Sequence, residues 1–163
     1  MTGPLFAVLF AAATTLAANP VPATLKDSAM THRVQGRFDV TLNPQVVEDP
    51  ADAAFVGRMG FDKRFHGDLD ATSKGVMLFN HSPVEGSGAY VAIETVTGTL
   101  GGREGSFVFQ HNCHRDGNGQ QQSITVVPDS GTGALAGLRG SLTISIVDGA
   151  HFYEFTYSLP GDD

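Results

Sequence analysis

Hydrophobic and polar residues alternate one by one along many short stretches of this chain, which is the pattern of half-buried β-strands. The alternation is clearest from Tyr90 to Cys113, where a pair of glycines, Gly101 and Gly102, interrupts it. Two adjacent glycines tolerate the positive φ angles of a two-residue hairpin turn. The stretch therefore predicts two antiparallel strands joined by a turn between Leu100 and Arg103.

Counting outward from this turn predicts the register of the hairpin. Glu94 is placed opposite Phe109, and Ala92 opposite His111. Because successive side chains of a strand point to opposite sides, one face collects most of the aromatic residues. Its members are Tyr90, Ala92, Glu94, Val96, Phe107, Phe109, His111 and Cys113. We predict that this is the inner face, which puts a carboxylate and an imidazole among phenylalanines.

The rest of the chain follows the same alternation, and no long helical period interrupts it. Strands are predicted at 34–42, 57–70, 74–80, 120–127, 141–147 and 150–159, the last two joined by an Asp148-Gly149 turn. About eight antiparallel strands form either a sandwich or a closed barrel. Polar groups among aromatics on the inward faces favour an all-β closed antiparallel barrel that encloses a cavity.

Composition narrows the classes of function. The 163 residues suit one domain, and the net charge of −7 without a Lys/Arg cluster argues against nucleic acid or an anionic membrane as partner. Cys113 is the single cysteine, so the chain has no intramolecular disulfide and no cysteine-based zinc site. No stretch of the predicted barrel is long and apolar enough for a transmembrane helix. Nothing in the sequence predicts a cofactor or a metal.

Residues 1–29 differ from the rest of the chain. The apolar, alanine-rich run from Leu5 to Ala18, followed by Val21-Pro22-Ala23, is typical of a signal peptide, but no Lys or Arg precedes it. The alternative is that translation starts at Met30 and that the extension is not part of the protein. The first interpretation predicts a periplasmic or secreted protein, and the second a cytoplasmic one. Either way, 30–163 is predicted to be a single barrel domain.

Several stretches together resemble a bacterial family of unknown function with an allene-oxide-cyclase-like β-barrel. They are THRVQGRFDV, GRMGFDKRFHGDLDATSKG, GAYVAIETVTGTLGGREGSFVFQH, VVPDSGTGALAGLRG and YEFTYSLP, and they span most of Met30 to Pro160. Allene oxide cyclases and plant dirigent proteins use the same broad barrel and hold hydrophobic substrates in its lumen. The resemblance thus implies a lumen that accepts a small apolar molecule, but it does not name a reaction.

Glu94, His111 and Lys63 are the candidate catalytic residues. Lys63 lies between Phe61 and Phe65 in the alternation, so it is predicted to point inward, where its ammonium needs an acidic partner such as Glu94. Such a group could act as an acid–base pair, with the pKa of Glu94 raised by burial or lowered by Lys63. The alternative is a buried structural network that sets strand register.

The predicted cavity wall consists of Phe65, Tyr90, Phe107, Phe109 and Tyr157. His66 and Asp68 form a second polar pair on one predicted strand face, more typical of an outer-face hydrogen bond or a subunit contact than of a catalytic site. We predict a barrel that binds a small apolar molecule, as an isomerase, cyclase or lyase. The alternative is a non-catalytic carrier or a structural subunit, and a homo-oligomer is open in either case.

Overall fold

A computed structural model describes residues 30–46 and 56–162. They form a closed barrel in which each antiparallel strand is hydrogen-bonded to the next and the last returns to the first. The strands are β1 (His32–Gln45), β2 (Gly57–Gly67), β3 (Leu69–His81), β4 (Gly88–Leu100), β5 (Arg103–Asp116), β6 (Gly119–Val126), β7 (Arg139–Val147) and β8 (Ala150–Ser158), with one 3₁₀ turn at Gly133–Leu135. The predicted all-β closed barrel is confirmed. The extension 1–29 lies outside the described residues.

The β4–β5 hairpin has the register that its glycine turn predicts. Gly101 and Gly102 have φ angles of 57° and 81°, and Leu100 pairs with Arg103 across them. Further along, Glu94 lies opposite Phe109 and Ala92 opposite His111. The Asp148-Gly149 turn likewise joins β7 to β8, with both residues at positive φ. Both hairpin predictions are confirmed.

The prediction of one strand from Gly57 to Asp70 is wrong. The chain turns at Gly67, whose φ is 109°, and the next strand starts at Leu69 and runs on to His81. The alternation does not reveal this turn, because Phe65 before it and Leu69 after it are both inward-facing and buried. The pattern of hydrophobic residues therefore continues through the turn without a break.

One half of the barrel is filled by side chains, and we call it the closed half. Its core includes Phe65, Phe107, Phe109 and Phe155, each at most 1% exposed. β6 ends at Val126, and the segment that follows takes its place beside β5, with Val127 donating to the carbonyl of Val108 and Thr132 to that of Ser106.

The segment between β6 and β7 also closes the interior. Its two leucines, Leu135 and Leu138, are buried in the core cluster. Gly105 of β5 lets it approach closely, because a Cβ at that position would lie 2.1 Å from the carbonyl oxygen of Thr132. The closed half is therefore a packed core.

No helix long and apolar enough to cross a membrane occurs within 30–46 and 56–162.

Candidate functional site

Glu94 is the centre of a buried polar cluster at the middle of the barrel. Lys63 Nζ donates to Glu94 Oε2 over 2.8 Å, and His111 Nε2 lies 2.8 Å from the same oxygen. Ser73 Oγ donates to the other oxygen, Oε1. The four side chains come from β2, β3, β4 and β5, so the pairing of four neighbouring strands brings them together. Glu94 is 0% exposed and the other three are at most 9% exposed.

Ser73 is a member of this cluster that the sequence reasoning missed. It lies on β3, six residues after Gly67, in the gap between the predicted strands 57–70 and 74–80. With the strand starting at Leu69, residues 69, 71 and 73 alternate inward, and all three are buried. The signal that could have found Ser73 is therefore the strand boundary, because a hydroxyl on an inward position needs a polar partner.

Three aromatic rings lie close to the ammonium of Lys63. Its Nζ lies 5.0 Å from the ring centres of both Phe38 and Phe61, and 5.6 Å from that of Phe65. Ring faces attract a cation, which compensates part of the hydration that the ammonium loses on burial. The predicted inward position of Lys63 and its pairing with Glu94 are both confirmed.

The carboxyl group of Glu94 is ionised within this cluster. Burial by itself raises the pKa of this carboxyl, but the hydrogen bond from His111 and the charge of Lys63 outweigh that effect and hold its pKa below the ordinary value. Of the two directions that the sequence left open, the lowered pKa is the one found. Glu94 is therefore a carboxylate at neutral pH, and both of its oxygens accept hydrogen bonds.

An ionised carboxylate can only accept, so we assign the proton of the neutral His111 ring to Nε2, which faces Glu94 Oε2. The second ring nitrogen, Nδ1, then carries a lone pair, and it makes no hydrogen bond with any residue in 30–46 or 56–162. Phe61 and Phe109 contact the ring edge-on, with centroids 6.2 and 6.3 Å away, and limit its rotation. His111 thus combines a fixed orientation with one unpaired basic nitrogen.

A cavity of about 440 Å³ opens above this cluster, in what we call the open half of the barrel. Lys63 and His111 lie at its floor, whereas Glu94 is not part of its surface. The wall is mainly apolar, with amide and imidazole groups from β6 and β8. It consists of Phe38, Val40, Leu42, Phe61, Met77, Tyr90, Ala92, Gln120, Gln122, Ile144, Ile146 and His151.

A second hollow of about 400 Å³ continues toward the rim and shares Met77, Tyr90 and Gln120 with the cavity. Tyr90 accepts a hydrogen bond from Gln122 over 3.1 Å, and burial raises the pKa of its hydroxyl. Burial also raises the pKa of Cys113, which lines the second hollow. The thiol is therefore protonated at neutral pH and is a poor nucleophile.

The five predicted wall residues do not lie together. Tyr90 lines the cavity, as expected. The other four are buried in the closed half and belong to its core rather than to this wall: Phe65, Phe107, Phe109 and Tyr157. They share the inward face with Tyr90, but the sequence alone does not tell which end of the lumen is filled. These four side chains therefore pack in the core and do not face the cavity.

His66 and Asp68 are separated by the turn at Gly67 and do not form a pair. His66 points outward and its Nε2 lies 2.9 Å from the carboxylate of Asp39 on β1, while the main-chain carbonyl of Asp68 accepts from the amide of Gly101. Within the described part of the chain, no group of three or more His, Cys, Asp or Glu side chains is arranged to hold a metal ion. Glu94, His111 and Lys63 are thus the predicted site residues that the fold brings together.

The fold and this cluster define a class of protein: a small closed antiparallel β-barrel with a packed half, an open half and a charged cluster between them. The chain belongs to the family described as "Protein of unknown function (DUF3224)", whose sequence model matches residues 34–157. It is similar to a solved structure of a DUF3224 protein of unknown function from the bacterium Shewanella oneidensis MR-1. The two share 44% sequence identity over 80% of this chain and 100% of the other, with a TM-score of 0.74. No curated protein matches the chain.

Proposed function

We propose that this protein binds a small, mostly apolar molecule in the open half of the barrel, with one polar end of the ligand at Lys63 and His111. The observation that supports the proposal is the cavity of about 440 Å³, whose apolar wall ends at a charged floor. Pockets for small molecules combine a mainly apolar lining with a few convergent polar groups in this way. The wall supplies affinity, at about 25 cal/mol per Å² of apolar surface buried, and the floor supplies orientation.

The charged floor itself supports a functional role over a purely structural one. Burying an ammonium and a carboxylate costs desolvation free energy that their attraction often fails to return, and well-packed apolar residues stabilise a core as well or better. The same barrel packs its closed half with phenylalanines and leucines. A barrel that served only as a scaffold would have no need for a charged cluster below an unfilled cavity.

Two kinds of function fit such a site. The first is an enzyme of the isomerase, cyclase or lyase type, which would use His111 and Lys63 on a ligand held by the wall. The second is a carrier that binds its ligand without changing it. Glu94 accepts hydrogen bonds from three side chains and does not line the cavity, so it does not face the ligand in either case. The ligand-facing groups are the same in both cases.

The proposal is tested by blocking the lumen with a substitution whose matched control lies outside it. Ile144 lines the cavity, whereas Ile93 is 54% exposed on the outer wall. Ile144→Trp should fill part of the cavity and weaken the binding of a long-chain methyl ketone by about tenfold or more, and Ile93→Trp should leave it near the wild-type value. Isothermal titration calorimetry measures both affinities. Equal affinities for the two variants would place binding outside the lumen and contradict the proposal.

A further inference from the structure

We propose that the cavity floor is an acid–base pair for an apolar carbonyl compound. His111 Nδ1 takes a proton from the carbon next to the carbonyl group, and Lys63 stabilises the negative charge that develops on the oxygen. This assignment rests on the proposed binding of a small molecule in the lumen.

His111, rather than Glu94, is the base. Glu94 is 0% exposed, does not line the cavity and accepts from Ser73, Lys63 and His111. His111 lines the cavity, and its proton-bearing Nε2 is held by the carboxylate, so the lone pair of Nδ1 is fixed in position. His151 also lines the cavity, but it has no hydrogen-bond or ion-pair partner in the described part of the chain. It therefore lacks a carboxylate that would fix its tautomer.

Lys63 supplies the hydrogen-bond donor. Its ammonium has three N–H groups, of which one is used by Glu94, and aromatic rings rather than acceptors surround the rest. A carbonyl oxygen in the cavity could accept one of them. The charges of Lys63 and Glu94 cancel, so the floor has donors without an excess of charge. A neutral carbonyl compound therefore fits better than an ion of either sign, which would lose its hydration without a counter-charge.

A β,γ-unsaturated ketone illustrates the reaction that this arrangement allows. The bond between the α-carbon and its hydrogen breaks, the proton moves to His111 Nδ1, and the electron pair passes to the carbonyl oxygen as an enolate. Lys63 donates a hydrogen bond to that oxygen while His111 is positively charged. The proton then returns to the γ-carbon, which shifts the double bond into conjugation with the carbonyl. The step is an isomerisation and requires no oxidant, reductant or second substrate.

Glu94 and Ser73 act as positioning residues. Glu94 selects the tautomer of His111 and holds Lys63, and Ser73 restrains the second oxygen of Glu94. Glu94→Gln should therefore change the pH profile of the reaction, because the imidazole loses its carboxylate partner, while Glu94→Asp should restore part of the wild-type profile. A cluster with only a structural role would not show this recovery in the pH profile.

The experiment follows hydrogen exchange and isomerisation in one sample. A long-chain β,γ-unsaturated ketone is incubated with the protein in D₂O, and NMR records both deuterium at the α-carbon and the conjugated product. Wild-type protein should accelerate both. His111→Gln should lower the rate by about 10²-fold or more, since a positioned general base contributes at least that factor. His114→Gln is the matched control, because His114 lies on the same strand with an exposed side chain, and it should behave as wild type.

Calorimetry on the same samples separates the two proposals. Binding of the ketone without any acceleration would overturn the acid–base assignment and leave lumen binding in place. Absence of binding by wild-type protein would overturn both. Equal loss of rate in His111→Gln and His114→Gln would also contradict the assignment, and circular dichroism of each variant identifies a loss that comes from unfolding.

Discussion

At the scale of single residues, Glu94 keeps its charge inside the barrel because three donors converge on it. Lys63 contributes a full charge, His111 a ring N–H and Ser73 a hydroxyl. Among the described residues, every side-chain nitrogen or oxygen that is fully enclosed by the protein has a hydrogen-bond partner. The charge is therefore tolerated because both oxygens of the carboxylate accept hydrogen bonds. Removal of one partner leaves a buried polar group of the cluster without its hydrogen bond or counter-charge.

The Lys63–Glu94 pair should show strong coupling in stability. Lys63→Met leaves an unpaired carboxylate in the interior, which should cost about 3–5 kcal/mol of unfolding free energy. Adding Glu94→Gln removes that charge, so the double variant should recover part of the loss. Urea unfolding of the wild type, both single variants and the double variant measures the coupling. Additive effects of the two substitutions would show that the pair does not interact.

Glu94 should also make stability depend on pH in the acid range. Above the ordinary glutamate pKa of about 4.3, the group is ionised in the folded and the unfolded chain. Below that value the unfolded chain binds the proton first, because the pKa of Glu94 is lowered in the folded state. The stability that the carboxylate contributes is thus complete above the unfolded pKa and is lost as the pH falls through the folded pKa.

Glu94→Gln lacks this contribution, so its deficit in unfolding free energy relative to wild type should shrink as the pH is lowered. Urea unfolding at a series of pH values from about 6 to 3 measures the deficit. Asp162, whose pKa is lowered by its hydrogen bond from Arg103, is present in both proteins and cancels in the comparison. A deficit that stays constant over the whole series would show that Glu94 titrates alike in both states.

At the scale of secondary-structure elements, the β4–β5 hairpin determines most of what the sequence could predict about the site. The Gly101-Gly102 turn allows one register, and that register puts Glu94 and His111 on one face. A slip by one residue would have moved both side chains to the outer wall. The two-residue turn was sufficient to predict the strand pairing, because counting outward from it gives every residue pair of the hairpin.

The parts of the site that were not predicted depend on contacts between distant elements. The turn at Gly67 leaves the alternation intact, so Ser73 was not placed on its strand or in the cluster. Likewise, Phe107 and Tyr90 lie on the same inward face, but one is packed in the core and the other lines the cavity. The difference comes from the segment with Leu135 and Leu138, which fills one end of the lumen, and the alternation contains no information about that end.

At the scale of the whole molecule, the barrel divides its tasks between its two halves. The closed half supplies the packed core that stabilises the fold, and the open half has the cavity, with the Glu94 cluster between them. Closure of the barrel leaves no edge strand exposed among the described strands, so the rim of the cavity can stay open without inviting strand addition. The expectation of a homo-oligomer stays a prediction.

Native mass spectrometry tests lumen binding most directly. The protein, purified without detergent, is sprayed alone and after incubation with the long-chain methyl ketone. We expect one small molecule per chain, either retained from the host cell or taken up from the solution, and we expect its loss when the protein is denatured. A spectrum that shows only the bare chain under both conditions would contradict ligand binding in the barrel and would leave the Glu94 cluster with a structural role.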